Sequence, residues 1–176
     1  PGSSILEPFR GTFLCLDFWC LRNPVFETLR SPRLAARSIA CVVRRRPQRV
    51  TISSEQHAYT REKIAELGLG DRITLLLEDY RDLKGRFDKA MSIEMIEAVG
   101  ADYLDTYLRK CSNLLEPHGA MLLQAITIQD QFYEQARKSV DFIQRFIFPG
   151  SFIPSVECVA RSLTRATDLK IFHLED

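Results

Sequence analysis

Glycine is missing from the long interval between Gly11 and Gly68. Because a residue without a Cβ lets the backbone turn tightly and come close to a ligand, this interval excludes a glycine-rich nucleotide-binding turn. Lysine is missing from residues 1–49, which hold nine arginines against Glu7, Asp17 and Glu27, a charge of +6. Residues 50–176 hold the other fifteen basic residues and twenty acids, a charge of −5, so the overall +1 conceals two unlike segments. A basic arm centred on Arg44, Arg45 and Arg46 is one meaning of such a split. The arm has no lysine and no tyrosine, and its few aromatics are not interleaved with the charges, so no nucleic-acid partner is expected. No apolar run reaches the roughly 18 to 20 residues of a spanning helix, and the amino end lacks a lysine-rich start followed by an apolar stretch. The expected setting is cytoplasmic, without an anchor. The five cysteines include no CxxC pair and lie near no histidine cluster, so neither a zinc site nor a disulfide framework is expected. His57, His118 and His173 are scattered, and no metal site is expected.

At 176 residues, 45% hydrophobic and 27% charged, the chain can bury one core. From Arg49 onward strands and helices alternate, the pattern of an α/β fold with a parallel sheet. "RVTIS" reads as a strand, and Ser53 with Gln56 reads as a capping box for a helix that Gly68 ends. "RITLLLED" (72–79) and "FDKAMSIEMI" (87–96) read as further strands, apolar as in sheets covered on both faces. Residues 101–115 carry Tyr103, Leu104, Tyr107, Leu108, Cys111, Leu114 and Leu115 at helical spacing. "EPHG" stops that helix before the strand "AMLLQAITI". Residues 131–148 read as an aromatic helix, "SVECVARSLTRAT" as another, and "DLKIFHLE" as a last strand.

In open parallel sheets, ligands bind beyond the carboxyl ends of the strands. Ser53 and Gln56, Glu78 to Arg81, Glu94 to Glu97, and Gln124 to Thr127 all fall at such ends. The third group lies in "MSIEMIEAVG", which sets Glu94 and Glu97 among apolar neighbours. A carboxylate there is costly unless it is paired or used.

The runs "RVTISSEQHAYTREKI", "LLLEDYRDL", "FDKAMSIEMIEAVG", "LLEPHGAMLLQAITI", "SVDFIQRFIFPGSFIPS" and "ATDLKIFHLED" together resemble the cyclopropane-fatty-acyl-phospholipid synthase family, which includes the mycolic acid cyclopropane synthases. The resemblance spans about residues 49–176. It implies a Rossmann-like S-adenosylmethionine-dependent methyltransferase fold, incomplete at both ends. It implies methylene or methyl transfer from S-adenosylmethionine to a cis double bond of an unsaturated phospholipid acyl chain at the membrane surface, through a carbocation that a bound bicarbonate deprotonates. A homodimer is compatible with it. Other readings that remain open are a different S-adenosylmethionine methyltransferase with a small acceptor, and a non-catalytic remnant of the fold.

By position, the resemblance implies that Thr51 and Gln56 contact the cofactor and that Asp79 and Tyr80 line its adenine. Glu97 would hold bicarbonate, and Ile93 would give the same ion a backbone contact. Gln124 stands where many members have a histidine, so it can donate a hydrogen bond to the ion but cannot relay a proton near neutral pH. The family's cysteine contact would precede residue 1, and its tyrosine contact would follow Asp176. The aromatic stretch 141–154 reads either as a wall or lid for an acyl chain or as ordinary helix packing. Arg137, Lys138 and Arg145 are candidates for headgroup contact.

The glycine-rich turn expected of this fold should fall at about residues 28–36, where the chain reads "LRSPRLAAR". GGC glycine codons read out of register give GCG or CGG, hence Ala and Arg. Residues 1–48 are therefore read as an atypical Arg/Pro/Cys-rich segment, frame-shifted or divergent, and 49–176 as a partial methyltransferase domain. Weak cofactor binding is the expected consequence.

Overall fold

Apolar β-branched runs separated by short polar breaks become strands when neighbours can complete their hydrogen bonds. The computed structural model describes residues 11–14, 38–44 and 46–175. Six strands there form one sheet: β1 (Gly11–Leu14), β2 (Ser38–Arg44), β3 (Arg46–Thr51), β4 (Thr74–Leu77), β5 (Phe87–Ile93) and β6 (Leu115–Ile126). Five helices accompany them: α1 (Ser54–Glu66), the one-turn α2 (Ile96–Val99), α3 (Leu104–Asn113), α4 (Asp130–Arg137) and α5 (Val156–Ala166). The strand order is β1-β6-β5-β2-β3-β4.

The α/β class is as expected, but the sheet is mixed rather than parallel. β3 pairs parallel with β4, and β5 pairs parallel with β6. β2 runs antiparallel to both β3 and β5, and β1 runs antiparallel to β6. The reason for β2 is its connection. Parallel neighbours need a crossover of a dozen or more residues, and only Arg45 separates Arg44 from Arg46. Both antiparallel strands come from the Arg-rich front segment. Residues 1–10, 15–37 and 45 of that segment, which include the interval 28–36, lie outside the described residues.

Two further expectations are corrected. Residues 131–148 are not one helix: α4 stops at Arg137, and a π turn covers Ile143–Ile147. Between them the Asp141 carboxylate accepts from the Gln144 N–H (2.7 Å), and the Gln144 side-chain oxygen accepts from the Asp141 N–H (3.1 Å). That reciprocal pair is a capping box, so the chain restarts there. Residues 168–174 form no strand. β1 already pairs with β6 from Leu123 to Ile126, and Leu169 instead packs against the core. A small apolar cavity beneath this segment is lined by Leu108, Met121, Leu123, Leu163, Leu169 and Ile171.

The main core joins β5, β6, α3 and α5 through Ala90, Ile96, Leu104, Leu108, Met121, Leu123 and Val159. At its centre the Tyr107 hydroxyl donates to the Ser92 Oγ, and both residues are fully buried. Tyr80 meets the Tyr107 ring edge-on, with centroids 5.4 Å apart. α3 is clamped to α5 by Asp105, which accepts from Ser162 and takes two 2.6 Å hydrogen bonds from Arg165. α4 joins the start of α5 through the Glu157 N–H to the Asp130 carboxylate (2.8 Å) and the Cys158 thiol to the Tyr133 hydroxyl (3.0 Å).

Removing the buried hydroxyl with Tyr107→Phe leaves Ser92 without its donor. A loss of about 1–3 kcal/mol is expected in urea unfolding, and an unchanged midpoint would show that the bond contributes nothing. The Arg165 guanidinium and the Ser162 hydroxyl hold the Asp105 carboxyl down to about 2, from its ordinary 3.8. Its stabilisation is therefore complete above about 3.8 and disappears as pH falls through about 2. Melting curves of the native chain and Asp105→Asn should converge across that window.

Candidate active site

Since β2 is antiparallel to β3 and to β5, the strands β3, β4, β5 and β6 all point the same way, and their carboxyl ends share one edge of the sheet. The route β3–α1–β4 steps outward on one side, and β5–α2–α3–β6 steps outward on the other. The reversal between them lies at β2, where an open α/β sheet has its ligand crevice.

On the β5–β6 side the chain gathers Ile93, Glu94, Glu97 and Gln124. Ile93 and Gln124 are direct cross-strand partners. Glu94 then turns the chain with φ of 47° and donates its N–H to the Gln124 carbonyl (3.0 Å). A left-handed non-glycine residue at the strand end stores strain. This turn delivers Glu97 to the end of β6, where its Oε1 accepts the Ile126 N–H at 2.6 Å. Its Oε2 is buried and has no hydrogen-bond partner. Burial pushes the Glu97 carboxyl above its ordinary value, the Ile126 N–H opposes this, and the charge of Glu94 adds to the rise.

The loop is held from outside. The Glu97 carbonyl accepts the Phe152 N–H (3.0 Å). At Gly100, where φ is 86°, a Cβ would lie 3.2 Å from the Gly150 carbonyl oxygen. The "EAVG" turn and the "FPGSF" turn thus fit each other. Sequence reasoning missed the Ile126 N–H and the Phe152 contact, and no side-chain pattern could have shown them because both are backbone groups. Gly100 and Gly150 were the available signal.

On the β3–β4 side, Thr51 and Gln56, the implied cofactor contacts, lie together and bond to each other. The Thr51 hydroxyl donates to the Gln56 side-chain oxygen (2.9 Å) and accepts the Ser53 N–H (3.1 Å). Ser53 caps α1 by accepting the Gln56 N–H (3.2 Å), so the box is used in one direction and the Gln56 side chain turns to Thr51. Asp79 accepts from the Arg81 N–H and from two atoms of its guanidinium at 2.8, 2.9 and 2.7 Å. That pairing with Arg81 holds the Asp79 carboxyl below its usual value. Tyr80 is half-buried and packs against both apolar clusters.

The site therefore falls into two unlike halves. The partnerless Oε2 of Glu97 suits a small ligand that carries an O–H or N–H donor. Among Thr51, Asp79 and their neighbours, the hydroxyl and carboxylate that would meet a nucleoside are already committed to protein partners. At the centre, β2 presents its amino end. The β5–β6 half offers an acceptor oxygen to a hydrogen-bond donor, and the β3–β4 half does not fit S-adenosylmethionine in the manner the resemblance implies. Among the described residues no cluster of His, Cys, Asp and Glu could hold a metal ion.

Strand order, crossovers and crevice define the Rossmann-like S-adenosylmethionine-dependent methyltransferase fold, altered at its central strand. MmaA2 of Mycobacterium tuberculosis, a cyclopropane synthase, superposes with a TM-score of 0.56 at 23% identity over 66% of this chain and 44% of its own. CmaA1, a mycolic acid cyclopropane synthase solved with SAH and CTAB, gives 0.57 at 24% identity over 66% and 44%. Residues 41–176 match the family model of the mycolic acid cyclopropane synthetases, and the chain belongs to that family. The tuberculostearic acid methyltransferase UfaA1 of M. tuberculosis is 37% identical over 69% of this chain. The cyclopropane-fatty-acyl-phospholipid synthase of Escherichia coli is 38% identical over 64%. The chain spans 29% and 28% of the length of these two relatives.

Because the folded Glu97 carboxyl titrates above the ordinary 4.5, the folded state holds that proton to higher pH than the unfolded state. The Glu97 contribution is most favourable below about 4.5 and declines as pH rises through the folded value. Relative to Glu97→Gln, the native chain should lose stability over that rise. Parallel stability–pH curves would show that Glu97 is not buried as described.

Proposed function

We propose that this chain serves methyl or methylene transfer from S-adenosylmethionine to a cis double bond of an unsaturated phospholipid acyl chain, and that residues 49–176 are a partial domain for this reaction. The observation that carries the proposal is the half-buried Glu97 carboxyl, with one oxygen bound to Ile126 and the other buried without a partner at the carboxyl edge of the sheet. S-adenosylmethionine supplies the electrophilic methyl group of such reactions. Alkylating an unactivated alkene creates a cation, which needs a dry pocket and a nearby base.

The chain's own residues suit the base side of that chemistry. Glu97 keeps its proton more readily than an exposed glutamate, so it can share a site with an anion that would repel a carboxylate. Bicarbonate between Glu97, the Gln124 amide and the backbone at Ile93 is the proposed base. Gln124 orients the ion without titrating. The acyl partner is supported by Val140, Phe142, Phe146, Ile147 and Phe148, which remain exposed, so ordinary helix packing does not account for them. Arg145 lies 5.4 Å over the Phe146 ring, the composition of a lipid-facing edge. No described helix is long and apolar enough to cross a membrane. We place the chain in the cytoplasm at the membrane periphery.

The second reading, a non-catalytic member of the fold, is favoured by the reversed β2. Labelled S-adenosylmethionine, raised until the rate saturates, with unsaturated phospholipid vesicles and bicarbonate, separates the two. Transfer of label to the acyl chains is expected. Glu97→Gln should reduce it on the order of a hundredfold, and Glu94→Gln should reduce it less. Equal losses remove Glu97 from its role, and no labelled lipid at any cofactor concentration supports the second reading.

A further inference from the structure

A doubly wound sheet binds its nucleotide where the strand order reverses, with the carboxyl end of the central strand and the turn after it aimed into the crevice. In this sheet the central position belongs to β2. Its register sets Ser38 opposite Ile93 and Val43 opposite Lys89, so the amino end of β2 lies beside the carboxyl end of β5. Arg44 lies at the far edge, paired with Arg46. The one-residue link through Arg45 imposes this direction, because it is far shorter than a parallel crossover. No turn following β2 can reach the crevice, and the sequence preceding Ser38 has no glycine back to Gly11. The flanking polar side chains agree: Thr51 is engaged with Gln56 and Ser53, and Asp79 with Arg81.

We propose that this chain has its central strand reversed and so lacks the usual cofactor cradle, binding S-adenosylmethionine at least tenfold more weakly than the cyclopropane-fatty-acyl-phospholipid synthase of E. coli, while its Glu97 half-site stays assembled. The inference rests on the cofactor class of the proposed function and concerns only its donor side.

Two measurements test it without an acyl acceptor. Strand direction is read by disulfide trapping in the full chain. Val43→Cys with Lys89→Cys should give a linked peptide in a non-reducing digest. Ser38→Cys with Lys89→Cys should not, because about five residues of extended strand, roughly 17 Å, separate those positions. The reverse result overturns the proposal. Affinity is read by equilibrium dialysis of labelled S-adenosylmethionine against this chain and the E. coli enzyme side by side, on material whose melt is cooperative. A dissociation constant at least tenfold larger for this chain supports the proposal, and a smaller ratio overturns it. Ordinary affinity with no labelled lipid would defeat the proposed function and this inference separately.

Discussion

The link between β2 and β3 is the constraint on which the rest of the sheet depends. One residue cannot carry a chain from the carboxyl end of a strand back across the sheet to the amino end of a parallel neighbour, so β2 must run back against β3. β5 on its other side then meets an antiparallel partner as well, and the two parallel pairs β3–β4 and β5–β6 face one another across a strand of opposite direction. The outer strands keep the crossover connections that put their carboxyl ends on one edge. The strand at the reversal of order does not.

Polar groups at that edge are satisfied unequally, and this inequality gives the site its character. Thr51 and Asp79 lie at the crevice edge by topology, Thr51 buried and Asp79 half-buried, and short local hydrogen bonds occupy both. Local side-chain pairs of this kind form at little entropic cost, since the partners are two to five residues apart. Glu97 has no such neighbour. Its Ile126 partner is far along the chain, and a second oxygen remains buried and partnerless. An unmet acceptor costs free energy in the folded chain, which a small donor-bearing ligand would remove.

The fold class and the edge where the site lies were legible in the sequence because both follow from periodicity and from capping residues. "RVTIS", Ser53 and the helical spacing of Leu104, Tyr107, Leu108 and Cys111 announce elements that the structure contains. Strand direction was not legible. β2 reads as "SIACVVR", a run that fits either direction, and its partners are set by connection length and by competition for a sheet edge. The same competition leaves "DLKIFHLE" outside the sheet, although its alternation is that of a strand. The break after α4 was written locally, in Asp141 and Gln144, but the aromatic run around them looks helical. Within the site, the named side chains could be anticipated, while the backbone groups that position Glu97 have no sequence signature.

Packing explains how the two halves of the crevice can differ so much. Glu97 follows Ile96, which is fully buried in the large cluster that joins β5, β6, α3 and α5 through Tyr107, Leu108, Leu123 and Val159. Thr51 follows Val50, which belongs to a smaller cluster with Leu83, Phe87 and Leu114. Tyr80 and Met95 touch both clusters. The turn carrying Glu97 is thus seated on the large cluster, and Phe152 and Gly150 brace it from α5's approach. The carboxyl-bearing half is defined by contacts among β5, β6 and the turn at 150–152: the Glu94 N–H to the Gln124 carbonyl, the Ile126 N–H to Glu97 and the Phe152 N–H to the Glu97 carbonyl.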